Sequence, residues 1–173
     1  MERQRGDYRE SPLELAGEPA DFRYTGYKIH EGGVSMACGL PQAHDARETL
    51  EITLSQPGAE LTLFYTAFPT AIVRRTGLTN TGDKPLRLNK LMSSCVDLPG
   101  SYTMATFNGG WIAEMRRCDT PVGASKVVNE SLTGSSSNRH NPGFLLYEPG
   151  ATEDAGTVYG FNLIYSGNHY AAA

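Results

Sequence analysis

With 173 residues, of which 39% are hydrophobic, the chain is long enough to bury the core of one domain. Its formal net charge of −4 comes from scattered charges of both signs without a basic block, which argues against a nucleic-acid groove or an anionic membrane surface as the partner. A membrane span and a signal peptide are not expected, because no apolar run approaches ~20 residues and a polar stretch follows Met1.

The first part of the chain predicts strands from its alternating side chains. Leu13 and Leu15 form a short apolar alternation. Residues 23–30 predict a longer strand that ends at the turn Glu31-Gly32-Gly33. Residues 36–44 contain a glycine and a proline, and we interpret them as an irregular connection.

The clearest hairpin of the sequence spans residues 48–66. Residues 48–55 alternate between apolar and polar side chains, Gln56-Pro57-Gly58 predicts the turn, and residues 61–66 alternate again on the return strand. One side of both strands then carries an apolar row of Leu50, Ile52, Leu54, Leu61, Leu63 and Tyr65. This pattern is typical of a sheet with one buried face.

Short strands continue to residue 132. A strand is predicted at residues 71–79, and a turn follows at 80–83. The next predicted strand begins at Pro85 and runs through Leu86, Leu88 and Met92 to Val96, before a turn at 97–100. Three shorter strands are predicted at residues 102–107, 111–116 and 126–132. Apolar residues nowhere keep the spacing of a helix, so we expect very little helix. About ten short strands separated by turn signals predict an all-β fold, an antiparallel β-sandwich.

The last third of the chain holds a further pair of predicted strands. Apolar runs at residues 144–147 and 158–165 are joined by a polar connection. One face of the second strand is wholly apolar and is expected to look into a core. That face carries Tyr159, Phe161, Leu163 and Tyr165.

The titratable side chains give no catalytic or metal-binding pattern. The four histidines lack ligand spacing, and Cys38, Cys95 and Cys118 form no Cys-x-x-Cys pair, so no metal or cofactor is expected. We interpret the cysteines as reduced thiols in or near the core, which favours a cytoplasmic location. The adjacent Glu153 and Asp154 are interpreted as a solvated turn rather than an acid/base pair.

Four residues are candidates for contact with a ligand or partner. Trp111 follows Asn108-Gly109-Gly110, and a tryptophan beside glycines can offer its ring face to a sugar, although an anchor in a core or interface is the commoner role. Arg139, His140 and Asn141 precede an apolar run, where a loop would present three polar groups together.

Seven segments, in the order of the chain, carry a resemblance to a known family. They are Gly6-Asp7-Tyr8-Arg9, Asp21-Phe22-Arg23-Tyr24, Glu48-Thr49-Leu50-Glu51-Ile52, Gly109-Gly110-Trp111, His140-Asn141-Pro142, Gly156-Thr157-Val158-Tyr159-Gly160-Phe161 and Tyr165-Ser166-Gly167-Asn168. Together they resemble the N-terminal domain of glycoside hydrolase family 36, the large bacterial and fungal α-galactosidases.

The resemblance implies a galactose-mutarotase-like β-supersandwich, with residues 1–173 as a single domain that forms part of a larger glycosidase. In that family a (β/α)₈ barrel performs retaining hydrolysis of terminal α-galactosyl groups with two aspartates. The family's Lys-Trp-Asp and glycine-rich Cys-Ser segments, which hold those aspartates, are absent, because Trp111 lies between Gly110 and Ile112 and no glycines follow Ser94-Cys95. We therefore expect a fragment without the catalytic barrel, and we assign no catalytic residue.

The expected role is a non-catalytic domain that helps to assemble an α-galactosidase and shapes its active-site entrance. Trp111, Arg139, His140 and Asn141 are the candidates for the substrate entrance or an interface. The implied partners are the enzyme's own barrel, neighbouring subunits of a homo-oligomer and, through the parent enzyme, α-galactoside oligosaccharides. The alternative is an autonomous carbohydrate-binding module, whose signature would be two or more exposed aromatic side chains on one sheet face. An enzyme on the sandwich itself would need an acid/base or metal set that the sequence does not supply.

Overall fold

The computed structural model describes residues 12–35, 42–165 and 167–173. These residues form strands β1 Leu13–Leu15, β2 Glu18–Pro19, β3 Arg23–Glu31, β4 Glu48–Gln56, β5 Ala59–Ala67, β6 Ile72–Asn80, β7 Leu88–Leu91, β8 Thr103–Gly110, β9 Ala113–Pro121, β10 Val128–Ser131, β11 His140–Tyr147, β12 Val158–Phe161 and β13 His169–Ala172. The described residues contain no helix, and therefore no helix that could span a membrane. The prediction of an all-β chain is confirmed.

The chain divides into two compact units, a first unit that ends at Asp97 and a second unit that begins at Leu98. The first unit contains a four-stranded sheet in the order β3-β4-β5-β6 and a small sheet in the order β2-β1-β7. The second unit contains a four-stranded sheet in the order β12-β11-β8-β9 and the two-stranded ribbon β10-β13. All the paired strands are antiparallel.

The predicted hairpin of residues 48–66 forms the centre of the first unit. Strands β4 and β5 pair without a register shift from Glu48↔Ala67 to Gln56↔Ala59, around the predicted turn. The core of the unit lies where the small sheet covers one end of the apolar row, and it comprises Leu13, Leu15, Ala59 and Leu61, with Leu54, Leu63, Leu78 and Leu91 packed against them. The alternation at Leu13 and Leu15 is therefore strand β1, with both leucines buried.

The face of the hairpin opposite the leucine row is also buried, at the end away from the turn, which corrects the prediction of a single buried face. Thr49 and Thr66 are fully buried on the side opposite the leucine row. Their hydroxyl groups lie 3.0 Å apart, and the hydroxyl of Thr49 also donates to the carbonyl of Gly32 at 2.7 Å. The segment after β3 supplies this carbonyl, and a polar side chain can be buried there because its hydrogen bonds are made within the protein.

Several strand boundaries differ from the prediction. Strand β7 covers only Leu88–Leu91, and Pro85 lies in the connection before it, while Trp111 lies in a turn instead of at the start of a strand. The short strands β2 and β13 raise the number of strands in the described residues above the predicted ten. These differences lie at ends and short edges, where few backbone hydrogen bonds fix the chain.

The core of the second unit lies on one face of β8, β11 and β12. Tyr102, Met104 and Leu146 are buried there, and Met104 is completely inaccessible to solvent. Phe144 of β11 and Phe161 of β12 stack with ring centroids 4.9 Å apart. Such aromatic contacts add to the energy of apolar burial, so they help to hold the edge strand β12 on the sheet.

Strand β12 is shorter than predicted. It ends at Phe161, so Leu163 and Tyr165 do not continue its core-facing row, and Tyr165 is exposed. Phe161 does pack against the core, as predicted, whereas Tyr159 is more than one-third exposed despite its edge-to-face contact with Tyr102. The pairing of β12 with β11 ends at Phe144↔Phe161, and Pro142, two residues before Phe144 on β11, has no backbone N–H to donate.

For the cysteines that the structure describes, the predicted position in or near the core is wrong. Cys95 and Cys118 are both free and exposed, not buried in a core. Cys38, most of the predicted connection 36–44 and the segment Gly6-Asp7-Tyr8-Arg9 lie outside the described residues. The predicted solvated turn at Glu153-Asp154 is confirmed, since both residues are exposed in the loop between β11 and β12.

Candidate contact site at the β8–β9 hairpin

A two-residue turn joins β8 to β9 and presents two large apolar side chains. Gly110 pairs with Ala113, so Trp111 and Ile112 form the tip of the hairpin. The side chain of Trp111 is 79% exposed and that of Ile112 is 83% exposed. The exposure of Trp111 excludes its role as a core anchor and leaves a platform for a ligand or an anchor for a partner.

The turn has a backbone conformation that its residues disfavour. Ile112 has a φ of 65° and Met115 a φ of 56°, which is the left-handed region. This region is uncommon for any residue other than glycine, and for a β-branched residue it is strained. Strain of this kind persists only where the surrounding structure holds the backbone in place, and it concentrates at binding sites.

The segment before β11 holds the hairpin in this conformation. The N–H of Gly109 donates to the carbonyl of Arg139 at 2.9 Å, and the N–H of Met115 donates to the carbonyl of Asn138 at 3.0 Å. A side chain at Gly109 would collide with the carbonyl oxygen of Ala113, so only glycine fits this close approach. The tip is therefore a braced element rather than a loose loop.

The structure brings the four predicted contact residues into one neighbourhood. His140 lies opposite Asn108 in the pairing of β11 with β8, two residues before the turn that carries Trp111. Arg139 and His140 are exposed, whereas Asn141 is half-buried. Strand β11 begins at His140, so the predicted loop is correct for Arg139, while His140 and Asn141 lie in the strand.

Hydrogen bonds fix Asn141 beneath the tip. Its side-chain amide donates to the sulfur of Met115 at 3.3 Å, and its side-chain oxygen accepts from the N–H of Gly143 at 2.8 Å. The side-chain amide of Asn129, on β10, donates to the backbone carbonyl of Asn141 at 2.9 Å. Asn141 therefore acts mainly as a brace, and the exposed residues of the candidate site are Trp111, Ile112, Arg139 and His140.

The flank of the hairpin carries charges of both signs, since β9 contains Glu114, Arg116, Arg117 and Asp119. Arg117 on β9 pairs with Asp119 at 2.8 Å and lies over the ring of Tyr147. The hydrogen bond that Arg117 donates to Asp119 is the largest cause of the raised pKa of Arg117. The apolar tip is thus flanked by charged side chains of both signs, which can form hydrogen bonds with polar groups of a partner.

Sequence reasoning missed Ile112 and Met115. Neither the exposure of Ile112 nor the left-handed backbone of either residue follows from a local apolar pattern, which places such residues in a strand. The signal that was present is the pair Gly109-Gly110, which permits a tight, close-packed turn.

Among the described residues no group of three or more His, Cys, Asp and Glu side chains could hold a metal ion.

Comparison with known proteins identifies the family. Residues 2–173 match the model of the glycosyl hydrolase family 36 N-terminal domain. The chain belongs to this family. The resemblance of its segments to family 36 is thereby confirmed over almost the whole sequence.

Relatives of known name within family 36 are considerably longer than this chain. Alpha-galactosidase 2 of Hypocrea jecorina is 35% identical over 178 residues, which cover 95% of this chain and 24% of the relative. The bifunctional alpha-galactosidase/sucrose kinase AgaSK of Mediterraneibacter gnavus is 34% identical over 175 residues, which cover 94% of this chain and 19% of the relative. The chain thus spans about a quarter or less of the length of these relatives.

Solved family 36 structures share the fold. One of them is the GH36 alpha-galactosidase AgaA from Geobacillus stearothermophilus, in a variant complexed with stachyose. It superposes with a TM-score of 0.87 at 32% identity, and the match covers 95% of this chain and 25% of the AgaA chain. The alpha-galactosidase from Lactobacillus brevis gives a TM-score of 0.86 at 30% identity and covers 99% of this chain and 25% of that chain. The predicted fold class, the antiparallel β-sandwich of this N-terminal domain, is confirmed.

Proposed function

We propose that this chain is the non-catalytic N-terminal domain of an α-galactosidase that removes terminal α-galactosyl groups from oligosaccharides. The observation that carries the proposal is the match of residues 2–173 to the family 36 N-terminal domain, together with relatives that are named as α-galactosidases. The chemistry belongs to the catalytic barrel, where retention of configuration requires two carboxyl groups about 5 Å apart, one as nucleophile and one as acid/base.

The role of this domain is to assemble the enzyme and to shape the entrance of its active site. The Trp111–Ile112 tip supports this role because it presents two large apolar side chains on a braced turn. Tryptophan is enriched among the residues that dominate protein–protein binding energy, and a rigid tip loses little conformational entropy on docking. Its partner is the barrel of the same enzyme or a neighbouring subunit of a homo-oligomer.

The polar side chains beside the tip complete the contact. Arg139 and His140 are exposed next to it, and each can donate hydrogen bonds to carboxylates, to backbone carbonyls or to the hydroxyl groups of a sugar at the entrance. A central apolar anchor with a polar rim is the usual anatomy of a specific interface.

A chimera tests the proposal. Residues 1–173 replace the matching segment of the AgaA α-galactosidase, and the same enzyme without that segment serves as the reference. We expect the chimera to hydrolyse p-nitrophenyl α-galactoside and to assemble in sedimentation experiments, whereas the deleted enzyme does neither. A folded chimera that is unassembled and inactive would contradict the proposal.

Variants of the chimera then test the tip. We expect Trp111→Ala to weaken assembly or to raise KM at least about fivefold, because truncating an anchor costs more than ~1 kcal/mol. Leu132→Ala is the matched control, since Leu132 is also an exposed large apolar residue of the second unit but lies outside the hairpin. Equal effects of the two substitutions would remove the tip from the contact.

A further inference from the structure

We propose that the outer edge of β9 is an interface between two copies of this chain. The two β9 strands pair antiparallel about a two-fold axis, with Cys118 of one copy opposite Cys118 of the other. This pairing requires neither a catalytic barrel nor the apolar tip of the hairpin, so it goes beyond the proposed function and does not depend on it. The free edge of β9 and the order of its charged side chains support the proposal.

The outer edge of β9 is free along the middle of the strand. Strand β9 is the last strand of its sheet, and among the described strands it pairs only with β8. Every residue of β9 after the first is exposed. Met115 and Pro121 limit the free stretch to residues 116–120, because the N–H of Met115 already donates to the carbonyl of Asn138 and Pro121 has no N–H. A free edge of this kind can pair with another strand.

The pairing with β8 determines which residues of β9 turn their backbone groups outward. In an antiparallel pair, residues that exchange hydrogen bonds with the partner strand alternate with residues that do not. The N–H of Val122 donates to the carbonyl of Tyr102 at 2.9 Å, which fixes the phase of this alternation. Cys118 lies an even number of residues before Val122 and therefore bonds to β8. Arg117 and Asp119 consequently point their N–H and C=O groups away from β8.

A two-fold axis at Cys118 matches the outward groups of two such edges. Arg117 of one copy then lies opposite Asp119 of the second copy, and the two residues exchange both of their backbone hydrogen bonds. The two Cys118 residues form a pair without hydrogen bonds, for which the Cα atoms lie about 4.5 Å apart. A disulfide spans Cα separations of about 4.4–6.8 Å, so this position can be cross-linked without moving the backbone.

The charged side chains select this register over its neighbours. With the axis at Cys118, the guanidinium of Arg117 faces the carboxylate of Asp119 on the second copy. Within one chain Arg117 and Asp119 already lie 2.8 Å apart, so two copies together form a ring of alternating charges. An axis at Arg116, Arg117 or Asp119 would instead place like charges directly opposite each other, which destabilises a sheet. An axis at Thr120 would bring no charged residues together.

The occupant that fits this edge is therefore a second copy of the chain. A foreign strand would need an acid and a base in the reverse order at the same spacing, and β9 itself supplies that order. The paired stretch is short, and small interfaces form weak, reversible complexes. We therefore expect a dimer whose fraction rises with protein concentration.

Charge variants of the full 173-residue chain test the pairing by sedimentation velocity under reducing conditions. Arg117→Asp gives a copy with two acidic side chains at the edge, and Asp119→Arg gives a copy with two basic ones. Each variant alone should raise the dissociation constant of the dimer at least about tenfold, because like charges oppose each other. An equimolar mixture should return to within about threefold of the unmodified chain, because every opposed pair is then of opposite sign.

The mixture separates an interface from an effect on the fold. Each variant loses the ion pair within its own chain, and mixing does not restore that pair. Recovery on mixing can therefore come only from contacts between the copies. Asp83→Arg is the matched control, because Asp83 is also an exposed acid but lies in the first unit. It should leave the dissociation constant within about twofold of that of the unmodified chain.

Hydrogen exchange measured by NMR tests the register in the unmodified chain. The amides of Arg117 and Asp119 point outward, so they should exchange fast in dilute samples and become protected as the protein concentration rises. The amide of Cys118 bonds to β8 and should be protected at every concentration. Protection of Arg117 and Asp119 that does not depend on concentration would mean that the edge is covered within one chain, and the proposal would fail.

Disulfide trapping tests the position of the axis. Cys118 is free and exposed, and oxidised glutathione serves as the oxidant. The Cys118 thiolate of one copy attacks the glutathione disulfide and releases one glutathione thiolate, and the Cys118 thiolate of the second copy then attacks the mixed disulfide and releases the other. Cys118→Ser should abolish the covalent dimer, whereas Cys95→Ser should retain it, since Cys95 is equally free and exposed but lies in the first unit.

Three further results would overturn the proposal. They are a monomer at every concentration of the unmodified chain, a mixture of the two folded charge variants that stays monomeric, and a covalent dimer that forms as readily through Cys95 as through Cys118. All these measurements use the isolated chain. The hydrolysis measured in the chimera therefore reports separately on the proposed function.

Discussion

His169 is a buried titratable side chain that the contact site does not use. It lies in the ribbon β10-β13 opposite Ser131 and is only 5% exposed. Neither ring nitrogen has a hydrogen-bond partner among the described residues. Burial is the main cause of its lowered pKa, and the nearby His140 adds to the effect, because a second positive charge there would be unfavourable.

This environment predicts a loss of stability in acid. The unfolded chain takes up a proton on His169 near the ordinary pKa of 6.5, whereas the folded chain takes it up only at a lower pH. The neutral imidazole therefore contributes its full share to the free energy of unfolding above pH 6.5. This contribution is lost as the pH falls from 6.5 through the pKa of the folded state. Urea unfolding at pH values from 7.5 to 5 measures this loss, and His169→Gln should reduce the pH dependence.

The matched control for this experiment is His44→Gln. His44 is exposed, so its replacement should leave the slope of stability against pH close to that of the unmodified chain. An unchanged slope in His169→Gln would show that the buried imidazole does not govern the acid response.

Burial of single polar residues was the part of the fold that the sequence could not predict. Thr49 and Thr66 alternate with leucines and tyrosine, and this pattern alone indicates a solvent-facing row. They are buried because the segment after β3 covers that face and its Gly32 carbonyl accepts the hydroxyl of Thr49. Such a contact joins residues far apart in the chain, and local periodicity contains no information about it.

At the scale of elements, the two adjacent glycines of the β8–β9 hairpin differ in the space available for a side chain. A Cβ on Gly109 would collide with the carbonyl oxygen of Ala113, whereas a Cβ on Gly110 would meet nothing within 4 Å. Gly109 is also the residue whose N–H donates to Arg139. The same substitution at the two positions therefore separates a steric requirement from the general effect of replacing glycine.

Gly109→Ala should destabilise the chain by about 1–3 kcal/mol, the cost of forcing extra volume into a close-packed site. Gly110→Ala should change stability by less than about 1 kcal/mol, because its new methyl group has room and only the unfolded chain is stiffened. Urea unfolding measures both differences, and the emission of Trp111 reports on the tip. Equal losses in the two variants would show that the close approach at Gly109 is not a constraint.

Elements whose contacts are local were predicted best. The hairpin of β4 and β5 was predicted with its turn, since alternation and Gln56-Pro57-Gly58 lie within one short stretch. The end of β12 and the position of Trp111 were not, because they depend on where β12 stops pairing with β11 and on hydrogen bonds that the carbonyls of residues 138 and 139 accept. The four candidate residues were chosen separately from the sequence, and their proximity follows from the pairing of β8 with β11.

At the scale of the whole molecule, each compact unit has a hydrophobic cluster of its own. Leu61 belongs to the cluster of the first unit, and Met104 belongs to that of the second. Alternation predicted the all-β class, the spacing of turn signals favoured a sandwich, and the resemblance to family 36 specified the supersandwich. The distribution of the core between two clusters was not predictable, because alternation tells which face is apolar but not which sheet covers it.

The two clusters predict where each core substitution acts. Met104→Ala and Leu61→Ala should each cost about 2–5 kcal/mol, since both remove buried methylene groups and leave a cavity. Hydrogen exchange followed by mass spectrometry should show the greatest loss of protection in β8 and β11 for Met104→Ala, and in β4 and β5 for Leu61→Ala. Met115→Ala is the matched control, because Met115 is 45% exposed and its truncation should cost less than about 1 kcal/mol. If Met104→Ala deprotected β4 and β5 as strongly as β8 and β11, the clusters would not be separate sources of stability.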